Sequence, residues 1–475
     1  MKRNYPACRR ILNGISFLAV GIIAVFSLNS CGKNLQSQNS IINNIPLDTS
    51  RKWVDWNVLF ESNSTQADRQ RILADMKNSI IQYVMNWNSL NGKFASTNIQ
   101  YWACPCDPLL YNFSATTPVG AAGLAASPPP KPGNKTPATG DAVKYINQNN
   151  SFIMDELVGN QGKKYSGKVD SNQKFNLNNS TIEDSKILAI MDTGLDSSLF
   201  VNNFHGLLWN APAGEITYRN FQYFNNFRPF DYCFDDDENK HGTAVTAVAM
   251  QALEGFPLPN LKPRVMVLKV LDKNRVGTTF TVSCALSYAV QKHATLVNAS
   301  LGYYDTNSLE VDSVLRNYIG HCDSASPVIP VIAAAGNLLI PHLQPLCSPV
   351  TSNANELNKN NRFFPGCFSI DFPNVICVTS LQSVQMPCFY QNSSDRYVNI
   401  GVVTNPSLPT CCSFPVSFYS PGYTGSSFAT PVISGKIIAA LLRVPGISMQ
   451  TAINNIGAVP TTRVALNSIT YLSPP

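Results

Sequence analysis

From residue 183 onward, short apolar runs alternate with helical patterns. The runs fall at residues 187–191, 265–270, 296–299, 328–335 and 375–378. Between them lie helical spacings such as Val282, Leu286, Ala289 and Val290, or Val314 and Tyr318. A strand that is apolar along its whole length, rather than at alternate positions, is covered on both faces. Alternation with helices therefore predicts an α/β domain, a mostly parallel sheet with helices on both faces. Open sheets of this kind place their sites at the carboxyl ends of the strands. Asp192 directly follows one run, and Asn337 closely follows another.

Four short segments carry the chemistry, in fixed order. They are Met191-Asp192-Thr193-Gly194, His241-Gly242-Thr243, Ala334-Ala335-Gly336-Asn337 and Gly425-Ser426-Ser427-Phe428-Ala429-Thr430-Pro431. Together they offer a carboxylate, an imidazole, an amide and a hydroxyl. A serine hydroxyl is a weak nucleophile until a base takes its proton. Imidazole suits that task because it titrates near neutral pH. A buried Asp holds the imidazole in the right tautomer. An amide donor stabilises the oxyanion of a tetrahedral intermediate. The order Asp, His, Ser is one of three unrelated orders in which this constellation occurs. Ser427 precedes a helical run over residues 431–442, so its own N–H lies at a helix start and can join Asn337 in the oxyanion hole.

At these residues the chain resembles the subtilisin-like serine proteases (subtilases). Val297-Asn298-Ala299-Ser300-Leu301-Gly302 is similar to that family's substrate strand, and Val267-Leu268-Lys269-Val270-Leu271 to the strand after its His helix. The resemblance covers roughly residues 183–462, the length of one ordinary catalytic domain. It implies a subtilisin-like fold with Asp192, His241 and Ser427 as the catalytic triad. It implies Asn337 as oxyanion donor, and Ser300, Leu301 and Gly302 pairing with substrate backbone as an added strand. The chain departs from the family at Ala247 (usually Gly), Ser426 (Thr), Phe428 (Met) and Val432 (often His). These changes touch cleft shape and remove no catalytic group. His205, His293, His321 and His342 are assigned to surface or loops.

The first 30 residues contain Lys2, Arg3, Arg9 and Arg10, no acid, and an apolar run at residues 15–28. That pattern reads as a signal peptide. The ending Leu28-Asn29-Ser30-Cys31-Gly32 resembles a bacterial lipobox, which implies lipidation of Cys31. The alternatives are a plain signal peptide or a short anchor helix, although the run is shorter than the ~20 residues a spanning helix needs. Loss of the four basic residues lowers the formal charge from +6 to +2, with no basic stripe to suit nucleic acid. Of 13 cysteines, Cys8 leaves with the signal. A cysteine-rich exported chain fits an oxidising compartment. Cys284 and Cys377 sit in apolar elements and read as buried small hydrophobes. Cys322, Cys347, Cys367, Cys388, Cys411 and Cys412 fall in expected loops and are the candidates for bridges. No spacing matches a paired zinc knuckle.

The expected organisation is a signal over 1–30, lipidated Cys31 and a tether to residue 50, and a small α/β unit over 51–114. A Pro-rich linker and lead-in over 115–182 precede the catalytic domain at 183–475. In the small unit, Val54, Trp56, Val58 and Phe60 alternate with polar residues as a strand does. Thr65 and Asp68 form a capping-box pattern ahead of Ile72, Leu73, Met76, Ile80 and Val84 at helical spacing. Strand-like runs follow at residues 99–103 and 109–113. Its position invites a propeptide reading, with an attached accessory domain as the alternative.

The expected function is a lipid-anchored serine endopeptidase of a bacterial cell envelope, or a freely secreted one. It acts on polypeptides as a monomer and requires no cofactor. Asp235-Asp236-Asp237-Glu238 reads as a solvated acidic loop, with a calcium site or a patch for basic substrates as sharper readings. Two other functions use the same residues: a catalytically silent binding lipoprotein, and a maturation enzyme transferring acyl groups to amines.

Overall fold

A computed structural model describes residues 52–92, 97–116, 129–153, 168–176, 181–201, 207–209, 221, 233–254, 261–305, 311–337, 356–383, 386–388, 391–404 and 413–457, with strand pieces at 158–159, 163–164, 459–460 and 470–472. Cys31, the signal segment, His205, His342, Cys347, Cys411 and Cys412 lie outside the described residues. Among those described, no helix is long and apolar enough to cross a membrane.

The small unit is a four-stranded sheet, β2-β3-β1-β4, of β1 (Lys52–Phe60), β2 (Ile99–Cys104), β3 (Asp107–Thr116) and β4 (Val143–Gln148). β4 pairs antiparallel with β1, so part of the expected lead-in is an edge strand of this sheet. Helix α1 (Gln66–Asn91) starts in the expected capping box: Asp68 N–H donates to Thr65 Oγ1 at 3.1 Å, and Thr65 N–H donates to Asp68 Oδ2 at 3.1 Å. It ends at Gly92, which takes the left-handed φ of 58° that halts a helix. Ile72, Leu73, Met76, Ile80 and Val84 pack on Trp56, Val58 and Phe60 of β1. Each such buried side chain is worth roughly 1.5–3 kcal/mol.

Successive strand residues face opposite ways. Asn57 and Leu59 therefore turn away from α1, toward the large domain: Leu59 joins its core, and Asn57 Nδ2 donates to Thr279 Oγ1 at 2.7 Å.

The large sheet contains β5 (Thr181–Asp192), β6 (Leu261–Lys269), β7 (Leu296–Ala299), β9 (Val331–Ala334), β11 (Val375–Ser383), β12 (Ile400–Val403), β13 (Val459–Pro460) and β14 (Thr470–Leu472). It runs in the order β6-β5-β7-β9-β11-β12-β14-β13. A short strand at Met386–Pro387 pairs antiparallel with β11, and β13 pairs antiparallel with β14; the other neighbours are parallel. Outside the sheet, β8 (Tyr303–Asp305) and β10 (Arg362–Phe364) form an antiparallel pair.

Both faces of the sheet are covered, as the unbroken apolar runs require. Ala189 and Met191 join the core that includes α3 (Thr279–Gln291) and α4 (Ser313–Ser324). Leu188 and Ile190 join the opposite core, with α2 (His241–Glu254) and α5 (Ser426–Arg443). Strand alternation divides β9 likewise, with Val331 and Ala333 on one side and Ile332 on the other.

The small sheet docks on α3 and α4. Asn149 Oδ1 accepts from the Phe280 N–H at 2.9 Å, and Asn147 Oδ1 from the Val314 N–H at 3.0 Å. Lys144 Nζ donates to Asn317 Oδ1 at 2.8 Å, and Tyr318 OH to Asp107 Oδ2 at 2.5 Å. A disulfide joins Cys104 at the end of β2 to Cys284 on α3, with Cα atoms 5.8 Å apart. This corrects the reading of Cys284 as a mere buried hydrophobe. Its face of α3 is covered by a strand from 180 residues earlier, which no local pattern could announce. Conversely, Cys322 and Cys367 are buried free thiols rather than bridges, and burial pushes both up to about 12. Cys377 is buried as expected, and Cys388 is disulfide-bonded.

Candidate active site

Asp192 closes β5, Ser300 follows β7 and Asn337 lies three residues past β9. Parallel strands carry all three to one edge of the sheet. Asp192 is buried, its Oδ1 2.8 Å from His241 Nδ1, and the same oxygen accepts the Thr193 N–H at 2.7 Å. A carboxylate on Nδ1 leaves Nε2 to handle a proton.

His241 opens α2, and the turn after Asp192 holds that helix start directly. Thr193 Oγ1 accepts the Gly242 N–H at 2.8 Å. A side chain at Gly242 would collide with the Gly194 carbonyl, so the residue after the histidine has to be glycine.

The acidic segment before His241 is solvated only in part: Asp236 and Glu238 are exposed, as expected, but the other two acids are not. Asp235 and Asp237 are almost wholly buried. Asp235 Oδ2 accepts from Thr243 N at 2.9 Å and Thr243 Oγ1 at 2.6 Å, while Asp237 Oδ2 accepts from His241 N at 3.0 Å. The two carboxylates satisfy N–H groups that a helix start leaves without intrahelical partners, and they complement its dipole. Arg275 Nε donates to Asp237 Oδ1 at 3.1 Å. The buried Lys269 donates to Asp236 Oδ1 at 2.7 Å and to the Thr193 carbonyl, tying the acidic segment to the Asp192 turn. Burial raises Asp235 to about 6, against its hydrogen bonds from Thr243. Lys240, just before His241, is held at a φ of 54°, a left-handed strain that persists where its surroundings enforce it. Composition alone favoured solvent for all four acids; the partners that bury Asp235 and Asp237 come from the start of α2 and from residue 275 and emerge only on folding. Among the described residues, no group of three or more His, Cys, Asp or Glu could hold a metal ion.

Ser427 lies in the first turn of α5, whose N-cap Gly425 has a φ of 126°. The Asn337 amide crowds that position: a Cβ at Gly425 would stand 3.2 Å from Nδ2, so the amide would have to give by a few tenths of an ångström. Pro431, one turn further, cannot donate the N–H that would bond the Ser427 carbonyl. Ser300 supplies the missing donor, its Oγ–H giving to the Ser427 carbonyl at 2.6 Å. The Ser300 side chain therefore serves α5, and Asn298 Nδ2 donates to it at 2.9 Å. Leu301 is buried, and Gly302 lies against Phe363. Phe428 sets its ring 4.8 Å from that of His241 and 4.7 Å from that of Tyr423. The start of α5 is thus packed on the imidazole.

The Asn337 amide is oriented by its oxygen. Oδ1 accepts from Ser426 N at 3.1 Å, Ser426 Oγ at 3.2 Å and Gln391 Nε2 at 2.9 Å. Tyr304 OH donates to the Asn337 carbonyl at 2.8 Å, and Asn392 Nδ2 donates to the Ala335 carbonyl at 2.7 Å. Gln391 and Asn392 escaped the sequence reading, because a polar pair in an irregular segment carries no periodic signal.

Residues 184–455, more than half the chain, match the Peptidase_S8 family, described as the subtilase family. The chain belongs to the subtilase family of serine-type peptidases. It is 30% identical over 119 residues to a cell wall-associated protease of Bacillus subtilis (strain 168), a match covering 24% of this chain and 12% of that protein. Its structure is similar, at a TM-score of 0.49 and 16% identity, to a mutant of the epidermin leader peptide processing serine protease EpiP from Staphylococcus aureus, covering 88% of this chain and 97% of that one.

Proposed function

We propose that this protein is an exported endopeptidase that hydrolyses peptide bonds with Ser427 as nucleophile. The observation that carries the reading is the buried 2.8 Å contact between His241 and Asp192, with the helix bearing Ser427 packed on the same imidazole. Ser427 Oγ attacks the substrate carbonyl carbon, and His241 takes the hydroxyl proton. His241 then returns that proton to the departing amine, and water repeats the sequence on the acyl-enzyme. The Asn337 amide and the Ser427 N–H hold the oxyanion. Substrate main chain runs beside residues 300–302. The test is a fluorophosphonate probe with a peptide-cleavage assay. Ser427 is expected to be labelled, and Ser427→Ala to abolish both signals. Cleavage surviving in Ser427→Ala would sink the assignment.

The enzyme works outside the cytoplasm, held to a membrane by lipid on Cys31. Incorporation of a labelled fatty acid, lost in Cys31→Ala, checks this. The small N-terminal unit acts as a domain that stays attached. Its buried bonds to α3 and α4 and the Cys104–Cys284 bridge support that reading. Gels of the mature protein should retain the unit without reductant even where the linker is cut. Its complete loss from the non-reduced enzyme would favour a discarded propeptide.

A further inference from the structure

A peptide bound as above has its reacting carbonyl at Ser427 and its carbonyl oxygen toward Asn337. Its backbone lies along residues 300–302. On that reading, the side chain next to that carbonyl, on the acyl side, enters between the 300–302 segment and the Ala335-Gly336 segment. Phe363 of β10 already stands there. A Cβ at Gly302 would overlap Cε1 and Cζ of its ring, and a Cβ at Gly336 would lie 2.7 Å from Cγ and Cδ2. One phenyl ring is therefore clasped by a glycine from each wall, and it is only 7% exposed.

The ring is held in place. β10 pairs with β8, setting Phe363 opposite Tyr304, whose ring meets it edge-on at 4.9 Å between centroids. The Phe363 N–H donates to Cys367 Sγ at 3.2 Å, and Arg362 pairs with Asp305 at 3.1 Å. Tyr304 is itself tied to the Asn337 carbonyl. Moving the ring would disturb the oxyanion segment as well.

We propose that Phe363 determines substrate choice by filling this recess, so that the enzyme cleaves after glycine or alanine and rejects bulky residues there. This rests on the peptidase reading above. A larger side chain has to displace a packed ring, and a steric difference of this size discriminates on the order of 10²-fold.

The experiment uses the full chain and quenched fluorescent peptides that differ only at the acyl-side residue, bearing Gly, Ala, Leu or Phe. Wild type is expected to show a kcat/KM for Ala on the order of 10²-fold above that for Phe. In Phe363→Ala that ratio should collapse or invert, and in the milder Phe363→Leu it should fall part of the way. Equal wild-type cleavage after Phe and Ala overturns the proposal. So does an unchanged ratio in both variants when their thermal melts show them folded. If the fluorophosphonate labels Ser427, such results overturn this inference alone; if it does not, the peptidase reading falls with it.

Discussion

Around His241 the supports are ionised groups taken out of water; around Asn337 they are amides and hydroxyls. Asp192, Asp235, Asp237, Arg275 and Lys269 hold the imidazole and its helix. Gln391, Ser426, Tyr304 and Asn392 hold the oxyanion segment. The division follows the work of each half. The imidazole becomes cationic during the reaction, and buried carboxylate beside it stabilises that charge. The oxyanion needs an aimed, neutral donor, and a buried charge there would carry a desolvation cost. The charged half is therefore expected to couple activity to stability, and the neutral half to control turnover with the fold intact.

The largest effect should come where each half touches the reaction. Asp192→Asn is expected to lower kcat by about 10⁴, and Asn337→Ala by about 10²–10³, in steady-state peptide hydrolysis. Equal losses would erase the distinction. Next, Asp237→Ala removes a buried carboxylate that caps α2 and meets Arg275. Breaking such a pair costs about 3–5 kcal/mol, visible as a lower denaturation midpoint. A stability change below 1 kcal/mol would show that the charged half is not structural. Gln391→Ala should behave oppositely: it removes one donor from Asn337, worth about 1 kcal/mol. That predicts a roughly fivefold to tenfold fall in kcat, with KM and the melting temperature nearly unchanged. A change confined to KM would break the assignment of Gln391 as a positioning residue.

The smallest effect is one of pH. Asp235 is raised from 3.8 to about 6 in the fold, chiefly by burial. Between those values the folded protein holds a proton that the unfolded chain has released, so stability falls as pH rises through that window. Asp312, buried at the start of α4, is raised to about 6 in the same way. Asp235→Asn should therefore flatten only part of the slope of melting temperature against pH from about 4 to about 6. An unchanged slope would remove Asp235 from the charged half.

The legible parts of this protein were those with a local or periodic cause. The Thr65–Asp68 box is written within four residues, and it forms as expected. The apolar runs at 187–191 and 375–378 are strands covered on both faces because their composition allows nothing else. Less legible were groups whose meaning depends on distant partners. Asp235 and Asp237 looked solvated until Thr243 and Arg275 were brought to them. Cys284 looked like packing until β2 delivered Cys104.

By itself, the sequence determined the fold class, the family and the candidate chemistry, because strand and helix periods and four short motifs are local properties of the chain. Tertiary structure alone decided which acids are buried, which thiols are joined, that Ser300 serves Ser427 where Pro431 cannot, and that Phe363 stands between Gly302 and Gly336. Those are contacts between segments far apart in sequence, and their energies depend on burial and direction that no residue carries until the chain has closed around it.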